Sequence, residues 1–298
     1  MENIPRNVSL EKENLSYLKI GNHLYKKGLP VPEIYDFDLK KGLFILEDLG
    51  DTNLQQVVSS LDDPIKPYEQ ILEILFKLQV EGASGFDPNH CYQTKRYDRY
   101  VMRRYESEYF RDSFLINYLG INKDLTGLEM TFDFLASKAS CSESNFFLHR
   151  DFQSRNIMIC NGKISLLDWQ GARLGPLAYD LASLIIDPYT SLSHVVKRKI
   201  YESYFLLLKG NKSVDASSVE ESFPYLAIQR NLQILGAFAY LSKIRKKSYF
   251  EAFIPIALDS LNNLLSEFSD NHLSPLREIL NDIVISKQED NDGRLHFL

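Results

Sequence analysis

The segment HRDFQSRN (149–156), followed by LLDWQ (166–170), constrains this chain more than any other feature. It forms a polar loop inside FFLHRDFQSRNIMIC, between two short apolar runs that read as strands. Asn161-Gly162 then separates IMIC from KISLLD. Asn-Gly between two apolar runs is the strongest short hairpin signal, because a two-residue type I′ turn needs positive φ at both positions. A hairpin there sets Asn156, at the start of one strand, beside Asp168, at the end of the other. Asp151 lies in the loop just before, so three oxygen-bearing side chains converge on one spot.

Such a set suits phosphoryl transfer. That reaction needs a carboxylate near the attacking hydroxyl and oxygen ligands for a Mg²⁺ ion bridging the phosphates. Mg²⁺ accepts a few carboxylate or amide oxygens and keeps several waters. Asp151 is the candidate to accept or orient the hydroxyl proton, and Asn156 and Asp168 are the candidates to hold metal. His149 is expected to anchor the loop. Taken singly, a loop Asp or an Asn before a strand is usually a turn residue. The order His-x-Asp, then Asn, then Asp at a strand end matches the protein-kinase catalytic loop and its metal-binding Asp in order and near-spacing. Trp169-Gln170 follows Asp168 in place of Phe-Gly, and no Ala-Pro-Glu comes after it, which argues against a regulated protein kinase.

Composition excludes several classes. The net charge of −6 lacks the electrostatic footprint of a nucleic-acid binder. With 44% hydrophobic residues, 18 Phe and 17 Tyr, the 298-residue chain can bury a large core. Cys91, Cys141 and Cys160 are odd in number and widely spaced, which fits neither a disulfide framework nor a zinc site. No apolar run approaches the roughly 18 residues a membrane span needs, and the first residues have no apolar signal core. A cytoplasmic protein without membrane or nucleic-acid partners is expected.

Along the chain, residues 9–27 read as an amphipathic helix capped by Ser9, with Leu10, Tyr17, Ile20 and Leu24 on one stripe and Gly28 and Pro30 stopping it. EIYDFD (33–38) and LFILE (43–47), joined by LKKG, read as a hairpin. Helical stripes follow around Tyr68–Leu78 and Leu125–Ala139, with a charged helical stretch over 95–112. From Ala178 to about Ser286 the periodicity is helical, punctuated by Pro188, Gly210 and Pro224. The tail 288–298 is polar and expected to fray. A small, partly β segment (1–50) thus precedes a large helical one (51–298).

HRDFQSRN and LLDWQGARLGPLAYDLASLI (166–185) resemble the corresponding motifs of the aminoglycoside phosphotransferase and choline kinase superfamily. VPEIYDFDLKKGLFILEDLGD (31–51), YDRYVMRRYESEYF (97–110) and QRNLQILGAFAYL (229–241) extend the likeness toward bacterial anomeric kinases of N-acetylmuramate and N-acetylglucosamine. The resemblance implies an α+β, protein-kinase-like bilobal fold with a truncated small lobe and a large, mainly helical one. It implies ATP and Mg²⁺ as cofactors and a small-molecule sugar as acceptor. It makes Glu47, Asp48 and Leu49 the nucleotide-facing hinge and gives Asp180 the task of bracing the catalytic loop. Glu106 and Arg230 become the candidate sugar contacts, against the competing reading of a solvated helix face. Arg96, Arg99, Arg103 and Arg104 either attract an anionic substrate or pair with Glu106 and Glu108 on such a face.

Related kinases carry a Gly-rich phosphate loop and a strand lysine before the first helix, and this sequence begins almost at that helix. Glu11 or Glu13 would be the helix carboxylate that such a lysine pairs with. A fragment of a longer kinase and a natural truncation are both compatible with this, and either leaves a hairpin edge unpaired. The alternatives to an amino-sugar kinase are a kinase of an aminoglycoside, choline or a homoserine-like substrate, or a pseudokinase that binds nucleotide or a partner without turnover. The sequence is silent on oligomeric state.

Overall fold

The computed structural model describes residues 1, 3–4, 7–61 and 63–291, with side chains as far as residue 283. The end of the polar tail, residues 292–298, lies outside them. Helix α1 spans Val8–Lys26. Asn7, not Ser9, caps it: Asn7 has extended backbone and its side chain accepts from Leu10 N at 3.0 Å. Strands β1 (Ile34–Asp38) and β2 (Leu43–Leu46) form an antiparallel hairpin with an irregularity between Ile34 and Asp36. The expected open edge is in fact occupied. Met1 and Phe44 exchange both backbone hydrogen bonds at 2.9 Å, and Asn3 N donates to Gly42 O at 2.7 Å.

Next come α2 (Leu54–Val58), α3 (Lys66–Ala83), α4 (Arg99–Met102), α5 (Gly127–Ala139) and strands β3 (Phe146–Leu148), β4 (Ile157–Cys160), β5 (Lys163–Leu166) and β6 (Arg173–Gly175). β4 pairs with β5 and β3 with β6, both antiparallel. Asn161 (φ 51°) and Gly162 (φ 76°) make the two-residue turn between β4 and β5 that the dipeptide demands. Helices α6 (Leu177–Ile185), α7 (His194–Lys209), α8 (Ala216–Lys243), α9 (Ile254–Ser266) and α10 (Ser274–Asn291) complete the chain. Helix α8 runs straight through Pro224, where the sequence suggested a break. The carbonyl that Pro224 leaves without a donor belongs to exposed Glu220, where water can satisfy it, while Val219, Leu226 and Ala227 stay buried.

The fold is α+β, and the chain groups into two compact units: Met1–Val101 with Ser140–Ala227, and Met102–Ala139 with Ile228–Leu298. The segment boundary near residue 50 therefore falls inside the first unit. The reason is Trp169, which is fully buried and stacks on Tyr17 of α1 with ring centroids 4.5 Å apart. Its Nε1 donates to Tyr17 O at 2.9 Å, and Tyr17 in turn meets Phe44 of β2 edge-on at 5.2 Å. Elsewhere in this unit Phe147 of β3 packs edge-on against Phe86 at 5.1 Å, and Tyr97 lies tilted against Tyr179 at 4.6 Å.

In the second unit the charged stretch after α4 is π-helical over Arg103–Ser107 and Phe110–Tyr118. Runs of that geometry are rare and concentrate at functional places. Arg103 pairs with Glu129 and lies 3.3 Å from Asp133, and Arg104 pairs with Glu108 at 2.8 Å. Glu106, on the same stretch, is buried, 3% exposed.

Gly21 marks the closest approach of α1 to Trp169. A Cβ there would lie 2.8 Å from Trp169 Cζ2 and 3.0 Å from Nε1. Alanine gains about 1 kcal/mol of helix propensity over glycine, but overpacking a tight contact costs about 1–3 kcal/mol. The ring is fixed on both sides, so overpacking wins. Gly21→Ala is expected to lower Tm by about 2–4 °C, measured by thermal unfolding.

Candidate active site

The β4–β5 hairpin places the first two groups. Ile157 pairs with Leu166, and Leu167 N donates to Asn156 O at 2.9 Å, so the ladder carries one step past the strands and sets Asp168 next to Asn156. Asn156 ends a single 3-10 turn, Ser154–Asn156, and its Nδ2 donates to Asp151 O at 2.9 Å. That bond uses an N–H of the amide and leaves its oxygen as the candidate ligand atom. Asp168 has left-handed backbone (φ 67°, ψ 39°), a conformation Asp tolerates better than most residues. Its Oδ1 accepts from Gln170 Nε2 at 2.8 Å.

Asp168 is repelled by Asp151 and itself acts on Glu13. Asp168 keeps a solvent-exposed rim, yet crowding desolvates its carboxyl. That desolvation, followed by the charge of Asp151, raises its pKa, against the hydrogen bond from Gln170 and the charge of Arg150. Glu13 of α1 is raised too, first by burial and then by Asp168. Glu13, one of the two helix glutamates considered from sequence, is thus within electrostatic reach of the hairpin end.

Two buried carboxylates hold the loop. Asp180 of α6 accepts from His149 N at 2.7 Å and from Arg150 N at 2.9 Å. Asp187, just past α6, accepts from Ser154 N at 2.7 Å and from Tyr189 N at 2.9 Å. His149 is 1% exposed and sits edge-on to Phe152, ring centroids 5.9 Å apart. Arg150 takes φ +78° and donates to Gln93 Oε1 at 3.3 Å, an acceptor it shares with Arg173 at 3.0 Å. Sequence reasoning missed Asp187, Gln93 and Arg173. The only signal for Asp187 was an Asp-Pro pair closing an apolar helix.

Glu47, Asp48 and Leu49 follow β2. Glu47 N donates to Glu33 O at 2.9 Å, and Asp48 Oδ1 accepts from Gly50 N at 2.9 Å. The strand-like chain beyond them joins the hairpin: Ile159 N donates to Thr52 O at 2.8 Å, and Asn53 bridges Met158. Glu47–Leu49, Asp151, Asn156, Asp168, His149 and Asp180 therefore all lie in the first unit. Glu106 and Arg230 belong to the second. Both are almost fully buried, 3% and 2% exposed, which overturns the solvated-face reading for the pair. Their neighbours Ser107 and Gln229 are joined by a 2.9 Å side-chain bond, and Arg230 donates to Gln233 at 2.6 Å.

Among the described residues no group of three His, Cys, Asp or Glu side chains is placed to hold a metal. One carboxylate and one amide oxygen are too few for zinc, whose sites take at least three protein ligands. They do fit a hard cation that retains its waters. A cation there would also offset the Asp151–Asp168 repulsion.

A model of the phosphotransferase enzyme family matches residues 4–202. The chain belongs to this family. An N-acetylmuramate/N-acetylglucosamine kinase from Neisseria meningitidis is 27% identical over 265 residues, covering 85% of this chain and 75% of the relative. A kinase of the same name from Pseudomonas aeruginosa is 28% identical over 236 residues, and the chain spans 65% of its length. Among solved structures, a choline/ethanolamine kinase family protein from Mesorhizobium loti is similar in fold, with TM-score 0.59, 13% identity and coverage of 89% and 83% of the two chains. The kinase-like fold expected from the motifs is thus the one this family member adopts. No described helix is long and apolar enough to cross a membrane.

Two substitutions separate bracing from repulsion. Asp180→Asn leaves one of two converging N–H groups facing an amide, and is expected to cost about 2–3 kcal/mol in chemical unfolding. Asp168→Asn acts the other way. A carboxylate whose folded pKa is raised weakens the fold when charged, so in metal-free buffer the variant has the higher Tm at pH 7. The difference shrinks as pH falls through the raised value toward the ordinary 3.8.

Proposed function

We propose that this chain phosphorylates the anomeric hydroxyl of an amino sugar, N-acetylmuramate or N-acetylglucosamine, with ATP and Mg²⁺, giving the sugar 1-phosphate. The observation that carries the reading is the hairpin end, where Asn156 and Asp168 stand beside Asp151. In this reading the Asp151 carboxylate takes the proton of the acceptor hydroxyl as its oxygen attacks the γ-phosphorus, and the bond from that phosphorus to the bridging oxygen of ADP breaks. Asn156 Oδ1 and the Asp168 carboxylate hold the metal. Bound Mg²⁺ neutralises phosphate charge, and the nucleotide supplies the phosphoryl group. Asp180 and His149 keep the loop in shape, and the backbone of Glu47, Asp48 and Leu49 faces the base.

The choice of amino sugar rests on the two bacterial kinases of that name. Glu106 and Arg230 are the proposed sugar contacts, and their burial makes them fixed groups rather than mobile surface charges. Residues 1–50 and 51–298 are the two proposed lobes. A cytoplasmic location accords with the need for ATP and with three cysteines that form no disulfide.

A phosphate-transfer screen over amino sugars, aminoglycosides and choline tests the substrate. Preference for choline or an antibiotic overturns the sugar assignment, and nucleotide binding indifferent to Mg²⁺ without turnover points to a pseudokinase. Asp151→Asn is expected to lower kcat by about 10²–10⁴ while keeping Mg²⁺-dependent thermal stabilisation by nucleotide. Asn156→Ala and Asp168→Ala are expected to lose that stabilisation, which for the native chain reaches about 2.7 kcal/mol at a hundredfold excess over Kd.

A further inference from the structure

Asn156 is flanked by a residue that the reaction does not need and that the fold ties down on two sides. The side chain of Arg155 reaches Gln55 of α2, its Nε donating to Oε1 at 2.8 Å. Its guanidinium carbon lies over the Tyr189 ring, 3.6 Å from its centre. Each anchor is itself fixed. Gln55 sits in the first turn of α2, held by a capping box between Asn53 and Gln56. Tyr189 N is held by Asp187, the carboxylate that also takes Ser154 N.

We propose that Arg155 is the positioning residue of the metal site: it ties the segment that follows Glu47–Leu49 to Asn156 and so fixes the direction of the Asn156 amide. The inference rests on the reading of Asn156 as a metal ligand. Arg155 and Asn156 share one 3-10 turn of three residues, so a rotation of that turn swings both side chains together. The turn's backbone is held from behind at Ser154 N. Arg155 supplies the lateral tie, to the stretch that reaches β4 through Thr52 and Asn53. A planar guanidinium can stack on a ring and donate in its own plane at once, and an ammonium cannot. Nucleotide-side chain and metal ligand are thereby set in one register before any substrate arrives.

The experiment measures the Mg²⁺ concentration that half-saturates nucleotide binding, read by thermal shift or calorimetry, beside kcat and the sugar KM, for the native chain and for Arg155→Gln, Arg155→Lys and Gln55→Leu. Loss of a group that orients a metal ligand typically costs about 10–100-fold in metal affinity or activity. Arg155→Gln is therefore expected to raise the half-saturating Mg²⁺ about tenfold or more, with kcat lower and the sugar KM within about twofold. Gln55→Leu shifts Mg²⁺ in the same direction by less, and Arg155→Lys recovers only part of the loss. An Arg155→Gln variant with lower Tm but an unmoved Mg²⁺ curve reduces Arg155 to a merely structural residue and overturns the proposal, as does a change confined to the sugar KM. A native chain whose nucleotide binding ignores Mg²⁺ overturns the metal-site reading and this inference together. A native chain that responds, with variants that respond identically, overturns this inference alone.

Discussion

The structure turns on one buried carboxylate. Asp180 has no solvent exposure, and its two oxygens take two consecutive backbone N–H groups, those of His149 and Arg150. A buried anion is costly unless hydrogen-bonded, and here the donors are the very groups that a sharp bend would otherwise orphan. The bend requires Arg150 at positive φ, an arrangement an L side chain adopts only when its surroundings enforce it. Just past that bend the Asp151 carbonyl accepts from Asn156 Nδ2.

Asp187 repeats the device a few residues further along the loop. It takes Ser154 N and Tyr189 N, so the two ends of α6 grip the two halves of the loop. Helix α6 is buried along its whole length, which keeps the spacing between Asp180 and Asp187 constant. The opposing charges lie nearby: Arg173, 3% exposed, donates to Gln93 and to Gly171 O, and Arg150 shares Gln93. Rigid supports of this kind hold two like-charged carboxylates, Asp151 and Asp168, close together, with the charge of Arg150 offsetting part of their repulsion.

Much of this was legible in the chain. Asn161-Gly162 announced its hairpin because few dipeptides accept two positive φ values, and the apolar spacing of Tyr17, Ile20 and Leu24 announced α1. The order His149, Asp151, Asn156, Asp168 pointed to the candidate site because phosphoryl transfer needs those residue types at a strand end. Less was legible where context decides. Pro224 reads as a stop, yet α8 continues through it, and the carbonyl left without a donor belongs to exposed Glu220. Glu106 and Arg230 read equally well as surface charges, and local sequence carries no measure of burial. The π-helical turns around Glu106 have no sequence signature at all.

By itself the sequence determined local conformation and chemical identity: which segments twist or coil, and which side chains carry a carboxylate, an amide or a guanidinium. These follow from steric limits on φ and ψ and from spacing along one strand or helix. Tertiary structure decided every pairing between residues far apart in the chain. Trp169 under α1, Asp187 behind Ser154 and Arg155 between Gln55 and Tyr189 each join partners tens of residues or more apart. Such contacts come from the competition to bury all apolar surface at once, and no local pattern records its outcome.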